Sequence, residues 1–121
     1  MLKKNKIISF SWDEIVRIDK ELEYMVVSLD HLISWYAVSK DKGFDERGFE
    51  KELTDFICNS RIPHRLSFLR YLINLKIDDT EGYDGMTDIE RAMENANIQY
   101  WEKPGDHVDE IEGYPAEIDN S

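Results

Sequence analysis

From Ile15 to Tyr36, apolar side chains recur at Ile15, Ile18, Leu22, Met25, Leu29, Leu32 and Tyr36, in alternating steps of three and four residues. That spacing marks one face of an α-helix, and Val26 and Ile33 widen the stripe. Ser11-Trp12-Asp13-Glu14 forms a capping box, in which the serine hydroxyl satisfies one orphan amide of the first turn and Glu14 reaches back to another. Asp13 and Glu14 at the start, and Lys40 and Lys42 at the end, complement the helix dipole, and Gly43 can take the left-handed geometry of a C-terminal stop. The pattern predicts a helix over 12–41, on the order of 45 Å long at 1.5 Å per residue. One small core cannot cover that length, so further elements or a second chain must pack along it. Tyr24, Val27 and Trp35 lie off the main stripe and predict packing on both flanks.

Asp45 is the expected N-cap of a second helix, over which Phe49, Leu53, Phe56 and Ile57 recur at helical spacing, with Cys58 beside that face as a buried packing thiol. Pro63 disfavours helical geometry at Ile62 and suits a first turn, so a tight break near 59–62 joins the second helix to a third and predicts a helical hairpin. The third helix, 63–77, carries Leu66, Phe68, Leu69, Leu72, Ile73 and Leu75 on a broad arc and reads as the most buried. Asp78 to Gly85, with two glycines and four acids, is a loop. Thr87-Asp88-Ile89-Glu90 is a second capping box; Ile89, Ala92, Met93 and Ala96 give a short fourth helix that Asn97 can end. Ile98 to Glu102 has strand-like aromatic content and stops at Pro104-Gly105, after which Val108 to Ile111 could pair back as a small β-hairpin; Ile7 to Phe10 could form another short strand. The expectation is a mainly α fold, one domain over 1–121: a helical scaffold at 12–77, an acidic and aromatic region at 78–112, and a flexible tail at 113–121.

Composition narrows the class. A chain of 121 residues with 41% apolar residues is one small domain able to build a core. It holds no run long enough to cross a bilayer, and only Ile7-Ile8 follows the lysines at 3, 4 and 6, which is too short for a secretory segment. Cys58 is the single cysteine, so no intrachain disulfide or cysteine-rich zinc site can form, in keeping with a cytoplasmic protein. The net charge is −11, and it is unevenly spread. Residues 1–77 carry 13 Lys and Arg against 12 acids; residues 78–121 carry only Arg91 and Lys103 against 14. The whole excess belongs to the last third of the chain, which points to an interaction surface or tail, or else to a solvated acidic end.

Catalytic chemistry finds little support. His31, His64 and His107 are scattered and read as surface residues. Cys58 and His64 lack a third orienting group, and no nucleophile elbow, phosphate loop or dinucleotide turn is present. Asp78, Asp79, Glu81 and Asp84 could attract a hard cation, but with Glu90 as the twelfth position of a calcium loop, Tyr83 falls fifth and Asp84 stands where glycine is required. Glu90 and Glu94, at i and i+4, fit a solvated helix face as well as a metal. Arg61, His64, Arg65, Arg70 and Lys76 form the one basic concentration; Arg65 and Arg70 do not share a helical face, and the acidic end repels phosphate, so pairing of these arginines with C-terminal acids is favoured over nucleic-acid binding. No catalytic residue, cofactor or metal is assigned, and neither nucleic acid nor membrane is expected as a partner.

What remains is a mixture of carboxylates with Tyr83, Tyr100, Trp101 and Tyr114. Carboxylates steer a basic partner, and aromatics anchor it once docked. The expected contact residues are Asp79, Glu81, Asp84, Glu90, Glu94, Tyr100, Trp101 and Glu102. The immunity proteins that neutralise nuclease toxins share this character, as do phage-encoded inhibitors of defence nucleases, although no motif ties the chain to either group. The expected function is a small acidic cytosolic inhibitor that occludes the phosphate-binding surface of a basic partner such as a nuclease toxin. The alternatives are a metal-dependent hydrolase using the loop carboxylates, a phage-type inhibitor, and a structural oligomer dimerising through the long helix.

Overall fold

A computed structural model describes residues 1–38, 43–103, 105 and 108–115. The predicted last turn of the long helix with its two lysines, Pro104, His107 and the tail beyond Pro115 lie outside the described residues. The fold is mainly helical, and the chain separates into two compact units, 1–78 and 79–121. The boundary falls one residue after Ile77, where the charge also divides.

The first unit opens with a single 3₁₀ turn, Lys3–Asn5, and then the long helix α1, Trp12–Val38. Its predicted capping box is formed: the Glu14 amide donates to Ser11 Oγ at 3.2 Å and the Ser11 amide to Glu14 Oε1 at 2.9 Å. Twenty-seven residues make α1 about 40 Å long. Asp45 caps α2, Glu46–Asn59, by accepting from the Gly48 amide, and α3 follows at Ile62–Asn74. Between them the chain turns at Ser60 and at Arg61, whose φ of 57° is left-handed.

The break does not fold α2 and α3 back on each other as expected. Tyr36 meets Phe49, Tyr24 meets Phe56 and Ser60, Glu21 meets Arg65, and Glu14 meets Lys76. Contacts thus descend α1 while the numbering of α2 and α3 rises, so the two short helices run in succession antiparallel to α1. The hairpin is formed by α1 and a returning arm broken in two. The length of α1 is the physical reason: a fold-back of α2 on α3 would cover half of its apolar stripe and leave the rest to water.

Burial is correspondingly thin. Among the described residues only Met25, Tyr36 and Leu69 are buried. Tyr36 sits in an aromatic cluster, edge-on to Phe44 and to Phe49 with ring centroids 6.4 and 5.4 Å away. Burial pushes its hydroxyl pKa up, with help from Glu52 and Asp45. The arc of α3 read as most buried is not: Leu66, Phe68, Ile73 and Leu75 are exposed and Leu72 is half-buried, because α1 covers one side of that helix and Leu69 takes it. Cys58 is also exposed, since it projects about 200° round α2 from Phe56. The cations near the break find partners on α1: Arg65 bridges to Glu21 at 2.6 Å and lies 4.3 Å over the Tyr24 ring, and Lys76 bridges to Glu14 at 2.6 Å. Pairing with C-terminal acids had been expected of Arg65.

The second unit contains one helix, α4, Asp88–Ala96, with its predicted capping box complete and Asn97 in the left-handed region at its end. No strand forms among the described residues, so neither Ile7–Phe10 nor the proposed hairpin of Ile98–Glu102 with Val108–Ile111 is present. A two-stranded ribbon with no third strand or helix to pack on is marginal in water. Instead the Gly105 amide donates to the Glu102 carbonyl in a tight turn, and the Trp101 ring lies over Gly105. At φ +80°, with an indole where a Cβ would stand, this position requires glycine. Among the described residues no helix is long and apolar enough to cross a membrane.

Candidate functional site

The acidic region is organised around Arg91. Its guanidinium reaches across the loop to Asp84, Nη2 lying 2.8 and 2.9 Å from the two carboxylate oxygens and Nε 3.2 Å from one of them. Nη1 meets Asp88 at 3.2 Å, and Nη2 also donates to the Met86 carbonyl at 3.3 Å. The loop closes under this clamp: the Gly82 amide donates to the Met86 carbonyl at 2.8 Å, the Gly85 amide to the Gly82 carbonyl at 3.0 Å, and the Met86 amide to Asp84 Oδ1 at 3.1 Å. Arginine fits this task because its planar fork engages several oxygens at once. The Arg91 hydrogen bonds hold the Asp84 carboxyl below the usual carboxylate range, and Asp84 in turn raises Arg91.

The eight expected contact residues therefore divide. Asp84 is bound by Arg91, and Glu90 closes the capping box by accepting from the Thr87 amide at 3.2 Å. Both remain exposed, but their carboxylates already serve the loop and the helix start. Asp79 and Glu81 stand exposed on the loop, and Glu94 lies exposed one turn beyond Glu90 on α4. At 100° per residue these two glutamates lie about 100° and 140° round α4 from Ile89, flanking the face of Ile89, Ala92, Met93 and Ala96. Tyr100 is 71% exposed and Trp101 64%, and Glu102 is exposed beside them. Tyr83 is fully exposed at the loop tip. Asp109, Glu110 and Glu112 continue the exposed acids.

Reading the sequence for contact residues passed over Arg91, the organising side chain. The available signal was its rarity: it is one of two cations among 14 acids, three residues after Asp88 and seven after Asp84.

The arrangement lends no support to the hydrolase alternative. Among the described residues no group of three or more His, Cys, Asp or Glu is placed to hold a metal ion, and the loop carboxylate Asp84 is instead matched to a guanidinium. His31 and His64 are exposed. A groove of about 270 Å³ in the first unit, lined by Phe10, Asp13, Glu14, Arg17, Ile18, Leu72 and Leu75, holds no histidine, cysteine or serine. Of its lining residues, Glu14 has its carboxyl pulled down to about 2 by the Lys76 ammonium and the Ser11 amide, so that pair is a structural clasp.

No protein-family model, no curated protein and no solved structure matches this chain.

Proposed function

We propose that residues 79–112 dock against a basic protein, and that the chain acts in the cytoplasm as a small inhibitor that covers its partner's phosphate-binding surface. The observation that carries this reading is the pairing of uncompensated carboxylates with solvent-facing aromatics. Arg91 is spent on Asp84 and Asp88, so the exposed Asp79, Glu81, Glu94, Glu102, Asp109, Glu110 and Glu112 share the field of a segment whose only other cation is Lys103. Exposed acids serve a chain's solubility wherever they stand, but solubility does not call for Tyr83, Tyr100 and Trp101 to face water among them. Such rings cost free energy when exposed and supply the desolvated anchors of an interface. A basic surface that handles RNA or DNA phosphates would be attracted over a Debye length and then held by the aromatics. The analogy to immunity proteins and to phage-encoded nuclease inhibitors is one of character.

The test is capture of a basic protein by the full chain at low and high salt, followed by association kinetics with the captured protein. Charge reversal at Asp79, Glu81 and Glu94 together should slow association by ~10-fold or more at low salt, and Trp101→Ala should speed dissociation. Asp84 and Glu90 are left intact so that the fold of the loop is not disturbed. Rates unchanged in both variants would overturn the assignment.

A further inference from the structure

On the first unit the α1 stripe is only half covered. Ile15, Leu22, Val26 and Ile33 are all exposed, Val26 by 64% and Ile33 by 51%. At 100° per residue they fall within about 40° of one another, some 80° round α1 from the buried Met25. On α3, Leu66 and Ile73 are exposed and lie within roughly 60° of the buried Leu69. Because α3 runs antiparallel to α1, these two sets emerge on the same side of the helix pair. The opposite side carries the polar pairing of Glu21, Arg65 and Tyr24.

The six side chains thus make one aliphatic face. Its α1 line is about 27 Å long from Ile15 to Ile33; α3 lies beside residues 14–21 and makes it two helices wide there, whereas Val26 and Ile33 lie level with α2, so the projected area is on the order of 400 Å². The largest apolar patch of a monomer is of this order and is often functional; rimmed by polar side chains, it can form the centre of the ~800 Å² that each partner of a stable complex contributes. An arrangement of paired helices that buries three side chains among its described residues leaves room for a further layer to complete its core.

The charges at the margins say what that layer is. Asp19 stands at the outer edge of the face on α1, and Arg70 at the outer edge on α3, both exposed. The ion pairs Glu21 with Arg65 and Glu14 with Lys76 set the register of the two helices, and interpolation between them places Arg70 level with about residue 18 of α1. The two opposite charges therefore sit at the same height on opposite edges. A twofold axis parallel to the helices lays α1 on the α3 of another copy and sets each Asp19 against an Arg70, twice over.

We propose that this face is covered by the same face of a second copy of the chain, giving a twofold dimer in which the N-terminal half of each α1 lies antiparallel on the α3 of the other copy and its remaining length at the height of that copy's α2. The proposal shares no residue with the acidic docking region, so either can fail alone.

Sedimentation equilibrium of the full chain at ~100 μM should return twice the 14.3 kDa mass. Val26→Asp should give a monomer that keeps its helical circular dichroism. Asp19→Arg and Arg70→Asp should each weaken the dimer by ~10-fold or more, and the two together should restore it. Both residues are exposed, so this swap reads the interface even if Val26→Asp unfolds. A wild-type monomer at that concentration would overturn the proposal, the face then being covered by another partner or by the chain's own C-terminal residues. A dimer indifferent to Val26→Asp, or to the charge swap, would overturn it equally.

Discussion

Asn5 and Asp78 are joined by two hydrogen bonds across seventy-three residues: Asn5 Nδ2 donates to the Asp78 carbonyl at 3.0 Å, and the Asp78 amide donates to Asn5 Oδ1 at 2.7 Å. One carboxamide thus reads a backbone donor and acceptor together, pinning the start of the chain to the end of the first unit. Asn5→Ala removes both bonds at a half-buried position and should cost about 1–2 kcal/mol in a urea titration. Asn5→Asp keeps the acceptor but turns a carboxylate towards the Asp78 carbonyl, and should be no less destabilised.

Glu14 links the cap of α1 to Lys76, and its carboxyl is held at about 2 against an ordinary value of 4.5. A depressed carboxyl contributes stability above its unfolded value and loses it as the pH falls towards the folded one. The melting temperature should therefore decline between about pH 4.5 and about 2. In Glu14→Gln it should be lower at neutral pH and fall less steeply through that window.

Removing Arg91 should loosen the loop without touching its glycines. In Arg91→Ala the amides of Gly82, Gly85 and Met86 should lose protection from hydrogen exchange, since the Arg91 to Asp84 bonds that hold their geometry are gone. The Asp84 carboxyl should titrate higher, back in the usual carboxylate range, in a carbon-detected NMR titration. Unaltered protection in the variant would show that the backbone turns hold without the clamp.

Gly105→Ala sets a methyl group into the Trp101 indole at a left-handed backbone position. The strain of that conformation is about 1 kcal/mol for a residue with a Cβ, and the ring must move as well. The Trp101 indole N–H resonance, identified by its absence in Trp101→Phe, should shift in Gly105→Ala while those of Trp12 and Trp35 stay in place.

The helices were legible because their signals are local. The 3,4 spacing of α1, the boxes at Ser11 to Glu14 and Thr87 to Glu90, the cap at Asp45 and the stop at Asn97 are each decided within a turn or two of chain. The path of the returning arm was not, because the turn at Arg61 depends on where α1 offers apolar surface some forty residues earlier. Periodicity also names the residues that share a face without saying whether anything lies on it, which is why α3 and Cys58 read as buried and are exposed. In the acidic region the charge imbalance was plain from composition, whereas the capture of Asp84 by Arg91 depends on a loop closure that no repeat or motif announces. The aromatic run at 98–102 has strand composition, but composition does not supply a neighbouring strand.

The first unit is fastened at both extremities and again in between, where Arg65 bridges to Glu21 and lies over the Tyr24 ring. At one extremity Tyr36, Phe44 and Phe49 interlock; at the other, Glu14 grips Lys76 and Asn5 grips Asp78. Midway, the arm changes direction at Arg61 with Ser60 touching α1 through the Tyr24 hydroxyl. A zipper closed at its two ends does not fray from them. Heating should melt the arm and α1 together in one transition, with neither of the arm's two segments peeling away first.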